Sequence, residues 1–144
     1  MLFQPTFCLT SAAAEKAMLA AENEASACGW KVTVCISDAG GTPLLIKRTD
    51  GAFAASVEIA VGKAKTAAQF SKDTAQLEAA ANVNDGRSRT ALLSAPFVLM
   101  RGGVPIIING ACCGAVGVSG VKPDQDEQVA KAAVNALTTI ASKL

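Results

Sequence analysis

Apolar residues recur at helical spacing near both ends of the chain and cluster at strand spacing in two blocks between them. Near the start, Ala14, Ala17, Met18, Ala21, Ala25 and Cys28 share one face of a helical wheel, while Glu15, Lys16, Glu22, Asn23 and Ser26 lie largely on the other. Thr10 or Ser11 can cap this helix, and Gly29 supplies a stop after about Cys28. Trp30 to Ser37, rich in Val, Ile and Thr, reads as a strand. Asp38-Ala39-Gly40-Gly41 turns the chain into a returning strand from Pro43 to Lys47. Asp50-Gly51 leads to a second helix near Ser56 to Phe70, and residues 72 to 82 add a shorter helical stretch. Asn82 to Arg89 is the most polar segment and is expected to be a mobile loop.

From Pro96 the pattern changes to short apolar runs. Phe97 to Met100, Pro105 to Ile108 and Cys112 to Ser119 read as three strands, joined by Arg101-Gly102-Gly103 and by the hairpin signal Asn109-Gly110. Pro123 to Lys143 forms a final amphipathic helix with Val129, Ala133, Leu137, Ile140 and Leu144 on its inner stripe. The fold class is therefore α/β (α+β): an antiparallel sheet of about five strands with helices packed against it, in one domain over residues 1–144. Ile106 to Ile108 and Ala115 to Val118 lack polar alternation, which predicts central strands covered on both faces.

Composition narrows the function. Half of the residues are apolar, yet no apolar run approaches the ~20 residues of a membrane helix. The first residues lack the basic cluster of a signal peptide. Net charge is +1, with no basic run or aromatic-basic interleaving, so neither nucleic acid nor membrane is an expected partner. Five cysteines, at 8, 28, 35, 112 and 113, include no C-x-x-C pair. Their odd number predicts free thiols in a reducing, cytoplasmic setting, acting as small buried hydrophobes. No histidine is present, so metal ligation is not expected. A mean hydropathy of +0.35 in so short a chain predicts that a homo-oligomer covers some apolar surface.

Chemistry-bearing motifs are few. Gly114 to Gly120 lacks the ending of a phosphate loop, and its glycines suit close sheet-helix packing. Cys112 and Cys113, as neighbours in a strand, point to opposite faces and are expected to stay separate thiols. Without histidine the usual nucleophile triads cannot form. The second helix carries the most informative pattern. Lys63 sits in the stripe Ile59, Lys63, Thr66, Phe70, between large apolar residues, whereas Lys65 lies with Glu58 and Gln69. A desolvated Lys63 could pair with a ligand carboxylate, act as a base or attack a carbonyl; equally, it could lay its stem over apolar surface. Arg48 and Asp50 before Gly51, and Arg101 before Gly102 and Gly103, offer arginines beside glycine loops suited to a carboxylate. The candidate set is thus Lys63 as the catalytic group, with Arg48, Asp50, Glu58, Arg101, Gly102 and Gly103 as ligand-binding residues and no metal ligand.

Three segments together resemble the GlcG/HbpS family of haem-binding or haem-degrading domains, also found as the C-terminal domain of PduO-type proteins. They are Val34 to Gly41, then Arg48 to Phe70 with Ser56-Val57-Glu58-Ile59-Ala60 and Lys63-Ala64, and Gly102 to Gly120 followed by Asp124-Gln125-Asp126-Glu127. The resemblance covers nearly the whole chain in order. It implies a profilin-like fold, homo-oligomers and haem as cofactor. Haem ligation in the family, where assigned, is attributed to histidine, which this chain lacks. The leading expectation is a small-ligand-binding protein for an anionic organic molecule. Its rivals are a cofactor-free isomerase or lyase acting on a carbonyl or carboxylate compound through Lys63, and an accessory subunit without a ligand.

Overall fold

The computed structural model describes residues 1–82, 87 and 89–143. Helix α1 spans Ser11–Ala27 and starts where Thr10 Oγ1 accepts the amide of Ala13 at 3.2 Å. Strands β1 (Thr33–Asp38) and β2 (Pro43–Arg48) form a hairpin. Helices α2 (Ser56–Phe70) and α3 (Thr74–Asn82) follow, and a short 3-10 turn covers Thr90–Ser94. Strands β3 (Gly103–Ile108) and β4 (Ala111–Ser119) turn through Asn109 and Gly110, both at positive φ (51° and 79°). Helix α4 spans Pro123–Ala141, with Gln125 Oε1 accepting the amide of Lys122 at 3.2 Å.

The sheet is antiparallel, in the order β2-β1-β4-β3. Its two faces differ in side-chain size. Val34, Ile36, Val104, Ile106, Val116 and Val118 point to one side and form the main core with α1 and α4. Cys35, Ala115 and Gly117 occupy the other side, against the alanines of α2. A Cβ on Gly117 would lie 2.1 Å from the Ala60 carbonyl and 2.5 Å from the Ala64 nitrogen. The helix backbone therefore rests directly on β4, and glycine is required there. Trp30, just past α1, packs partly buried on the main core.

Among the described residues four strands form rather than about five. Phe97 to Met100 does not pair as a strand because its groups bond elsewhere. The Val98 amide donates to Thr66 Oγ1 at 3.1 Å, the Val98 side chain fills the space over Gly62, and Phe97 meets Phe70 edge-on at 5.0 Å. Strand β4 is central as expected, but β3 is an edge, covered on its faces by α2 and α4. The thiols also divide: Cys35 and Cys113 are buried, Cys112 is half-buried, and Cys8 and Cys28 are exposed because they lie in the irregular N-terminal segment and at the end of α1. Ile140 is exposed while the rest of the described inner stripe of α4 is buried. Leu144 and most of the loop expected at 82–89 lie outside the described residues.

Candidate functional site

Lys63 is fully buried, and its ammonium is already engaged. Nζ donates to the Val118 carbonyl at 2.9 Å and to Asp126 Oδ2 at 3.0 Å. Asp126, nearly as buried, accepts the Val121 amide at 3.1 Å through its other oxygen. Burial pushes the Asp126 carboxyl up, and the Lys63 charge and hydrogen bond oppose that rise. The pair ties the middle of α2 to the end of β4 and the first turn of α4. Lys65 is exposed, as its polar stripe predicts.

Gly102 and Gly103 do meet Lys63, as packing partners. Gly102 has φ +126°, and a Cβ there would lie 2.8 Å from Lys63 Nζ. At Gly103 the nearest atom would be the Lys63 carbonyl oxygen, 2.5 Å away. Two amides of this loop are bonded to α3: Arg101 N donates to Glu78 Oε2 at 2.6 Å and Gly103 N to Thr74 Oγ1 at 2.8 Å. The loop is a closed junction.

Arg101 turns away from Lys63 and pairs through Nε with Glu127, whose other oxygen meets Lys131. Burial would raise the Glu127 carboxyl, but the contacts from Lys131 and Arg101 together outweigh it and hold it below its ordinary value. These groups line an open polar cleft of about 430 Å³ with Glu24, Asp124 and Gln128. The cleft carries three carboxylates against two cations, which disfavours an anion.

Arg48, Asp50 and Glu58 lie elsewhere. Arg48 Nε donates to the Ala52 carbonyl at 2.9 Å, closing the turn before α2. Asp50 is exposed in that turn and Glu58 is exposed in the first turn of α2. None of the three is hydrogen-bonded to or paired with Lys63 among the described residues. The candidate set therefore divides into a buried junction, a cleft rim and a hairpin end.

A different cavity, of about 560 Å³, opens between the first half of α1, the C-terminal end of α4 and the β3–β4 hairpin. Its walls are mostly apolar, including Leu9, Ala13, Ile106, Ile108, Leu137 and Ile140. Lys16 is the single charged residue of the lining, with Asn109 at the rim and the thiols of Cys8 and Cys113 in the wall. Lys16 makes no ion pair or hydrogen bond with any described residue. Burial raises the Cys113 thiol, keeping it protonated at neutral pH. Sequence reasoning assigned Lys16 to a solvated helix face; its place at the cavity mouth depends on how α1 crosses α4, which one helix's periodicity cannot give.

A four-stranded antiparallel sheet between one alanine-rich helix and a helix pair, with a side cavity and a buried lysine–aspartate tie, defines a small profilin-like α/β domain. Residues 9–135 match the family model described as haem degrading protein HbpS-like, and the chain belongs to that family. It is 38% identical to protein GlcG of Escherichia coli strain K12 over 112 residues, covering 77% of this chain and 81% of that one. The crystal structure of Klebsiella pneumoniae protein ORFY superposes with a TM-score of 0.86 at 32% identity, over 96% of each chain. The structure of the PduOC:haem complex follows with a TM-score of 0.80 at 28% identity, over 90% of this chain and 95% of that one.

Proposed function

We propose that this chain is a small-ligand-binding protein of the GlcG/HbpS type, and that it holds an organic anion in the apolar cavity between α1 and α4. The observation that carries the reading is the lone charge of that cavity: Lys16, unpaired among the described residues, at the mouth of an otherwise neutral wall. Its volume falls in the roughly 300–1,000 Å³ range of small-molecule pockets. Membership in a family described by haem degradation, and likeness to a protein solved with haem, support ligand binding in general.

Haem itself does not fit the donors in this cavity. It brings an iron that needs an axial ligand and two propionates that need partners. The chain has no histidine, the Cys113 thiol is held protonated, and one ammonium serves two carboxylates. The isomerase or lyase reading gains no support either, since Lys63 is fully buried and its Nζ is bonded to Asp126 and to the Val118 carbonyl. A reducing, cytoplasmic setting is favoured by five free thiols.

Thermal melting with a panel of apolar organic anions tests the reading. A ligand at a hundred times its Kd should add about 2.7 kcal/mol of stability. Ala12→Trp, which fills the cavity from an exposed helix position, should abolish the shift while leaving the unliganded melting point near wild type. Shifts that survive Ala12→Trp, or none across the panel, would overturn it.

A further inference from the structure

The charge and wall of the cavity restrict which anions can enter, a step that rests on the cavity being the binding site. We infer that the ligand is an amphipathic monocarboxylate, with one carboxylate at Lys16 and an apolar body along Ile108, Leu137 and Ile140. Among the described residues the cavity lining offers one cation and no carboxylate. A single negative head therefore finds a partner at the mouth, and the Asn109 amide in the same lining is a further donor. A second carboxylate or a phosphate dianion would place a charge against aliphatic wall with nothing to pair it, which is strongly unfavourable. A neutral apolar molecule would fill the wall but leave Lys16 unused. Small polar acids fail in the opposite sense, since beyond Lys16 and Asn109 the lining is mostly apolar and gives them only the weakly bonding thiols of Cys8 and Cys113. The polar cleft beside Arg101 is no competitor, because its carboxylates outnumber its cations.

Isothermal titration with dodecanoate, octanoate, 1-dodecanol and dodecanedioate, each below its aggregation concentration, reads the inference directly. Dodecanoate should bind with one site per chain. Affinity should fall about fourfold for each methylene removed toward octanoate, the worth of a buried CH₂. Dodecanedioate should bind about tenfold or more weakly than dodecanoate. Lys16→Met, with Lys16→Gln as a second variant, should weaken dodecanoate roughly two- to fivefold and leave 1-dodecanol unchanged, as suits an ion pair at an exposed rim. Equal affinity for acid and alcohol in the wild type, or tighter binding of the diacid or of haemin, would overturn the ligand class. If such a rival ligand is itself blocked by Ala12→Trp, the cavity still stands as the binding site; if nothing titrates and Ala12→Trp changes nothing, both readings fall. Light scattering on the same samples completes the test. Association lost in Ala12→Trp, with no uptake of dodecanoate by the wild type, would make a second copy of the chain the occupant and overturn the inference.

Discussion

Lys63 shows how one residue's energetics depend on its partner. A lysine stem lying over apolar surface would tolerate methionine, because length and volume are kept. Here the same change leaves the Asp126 carboxylate buried without its cation. Removing one member of such a pair costs about 3–5 kcal/mol, whereas Lys65→Met on the exposed stripe should stay within about 0.5 kcal/mol. Denaturant unfolding of the two variants should separate them clearly. Replacing both Lys63 and Asp126 by apolar residues should recover much of the loss, since no orphaned charge remains. The cysteines divide by the same logic of desolvation. Burial raises the Cys35 thiol from 9.0 to about 12, so it carries almost no thiolate at neutral pH. Cys8 and Cys28 are exposed and should react with an aromatic disulfide reagent within minutes at pH 8, while Cys35 should react only on unfolding. Early modification of Cys35 would mean that α2 opens readily from the sheet.

At the scale of elements, the strands carry a code of size rather than polarity. Thr-Val-Cys-Ile-Ser in β1 and Ala-Val-Gly-Val-Ser in β4 alternate large aliphatic with small side chains. The large set faces two helices, and the small set lets one helix press its backbone onto the strands. The Gly114–Gly120 run signalled that close packing in the sequence. Gly117→Ala would force a methyl into the Ala60 carbonyl, and overpacking of this kind costs about 1–3 kcal/mol. A melting point unchanged by Gly117→Ala would show that α2 has slack against β4. Helix periodicity, the Asn109-Gly110 hairpin and the Thr10 cap were all legible, and the element order follows from them. The strand at 97–100 misled because an apolar run records burial, and here burial comes from Phe70, Thr66 and Gly62 on α2 rather than from a neighbouring strand. Lys63 stood out in the sequence as a desolvated lysine. Its partner Asp126 did not, because an acid in the first turn of a helix reads equally well as a group suited to the helix dipole. Lys16 gave no signal at all, since an exposed lysine at a cavity mouth and one in open solvent are the same letter on the same wheel.

For the molecule as a whole, ion pairs and uncovered surface set the expected solution behaviour. Glu127 joins α4 to the segment before β3, and its carboxyl is held below its ordinary 4.5 by Lys131 and Arg101 against the rise from burial. A depressed carboxyl contributes stability above its unfolded value that is lost as pH falls through the folded one. Wild-type stability should therefore drop below pH ~4.5 more steeply than that of Glu127→Gln, measured by urea unfolding across pH 3 to 7. On the sheet face opposite α1 and α4, α2 leaves Leu44 and Ile46 of β2 each 41% exposed, and Phe53 in the turn before α2 is 49% exposed. That surface supports a homo-oligomer, which light scattering at micromolar concentration should detect and Ile46→Lys should weaken. A clean monomer for the wild type would remove this expectation. The position of Trp30 has a spectroscopic consequence. It is the single tryptophan in a chain without tyrosine, so nearly all near-ultraviolet emission arises at one point past the end of α1. The cavity begins at the other end of that helix, about 25 Å of helical rise away. Intrinsic fluorescence should thus follow global unfolding faithfully while staying silent as the cavity fills; an emission change on adding dodecanoate would report motion transmitted along the length of α1.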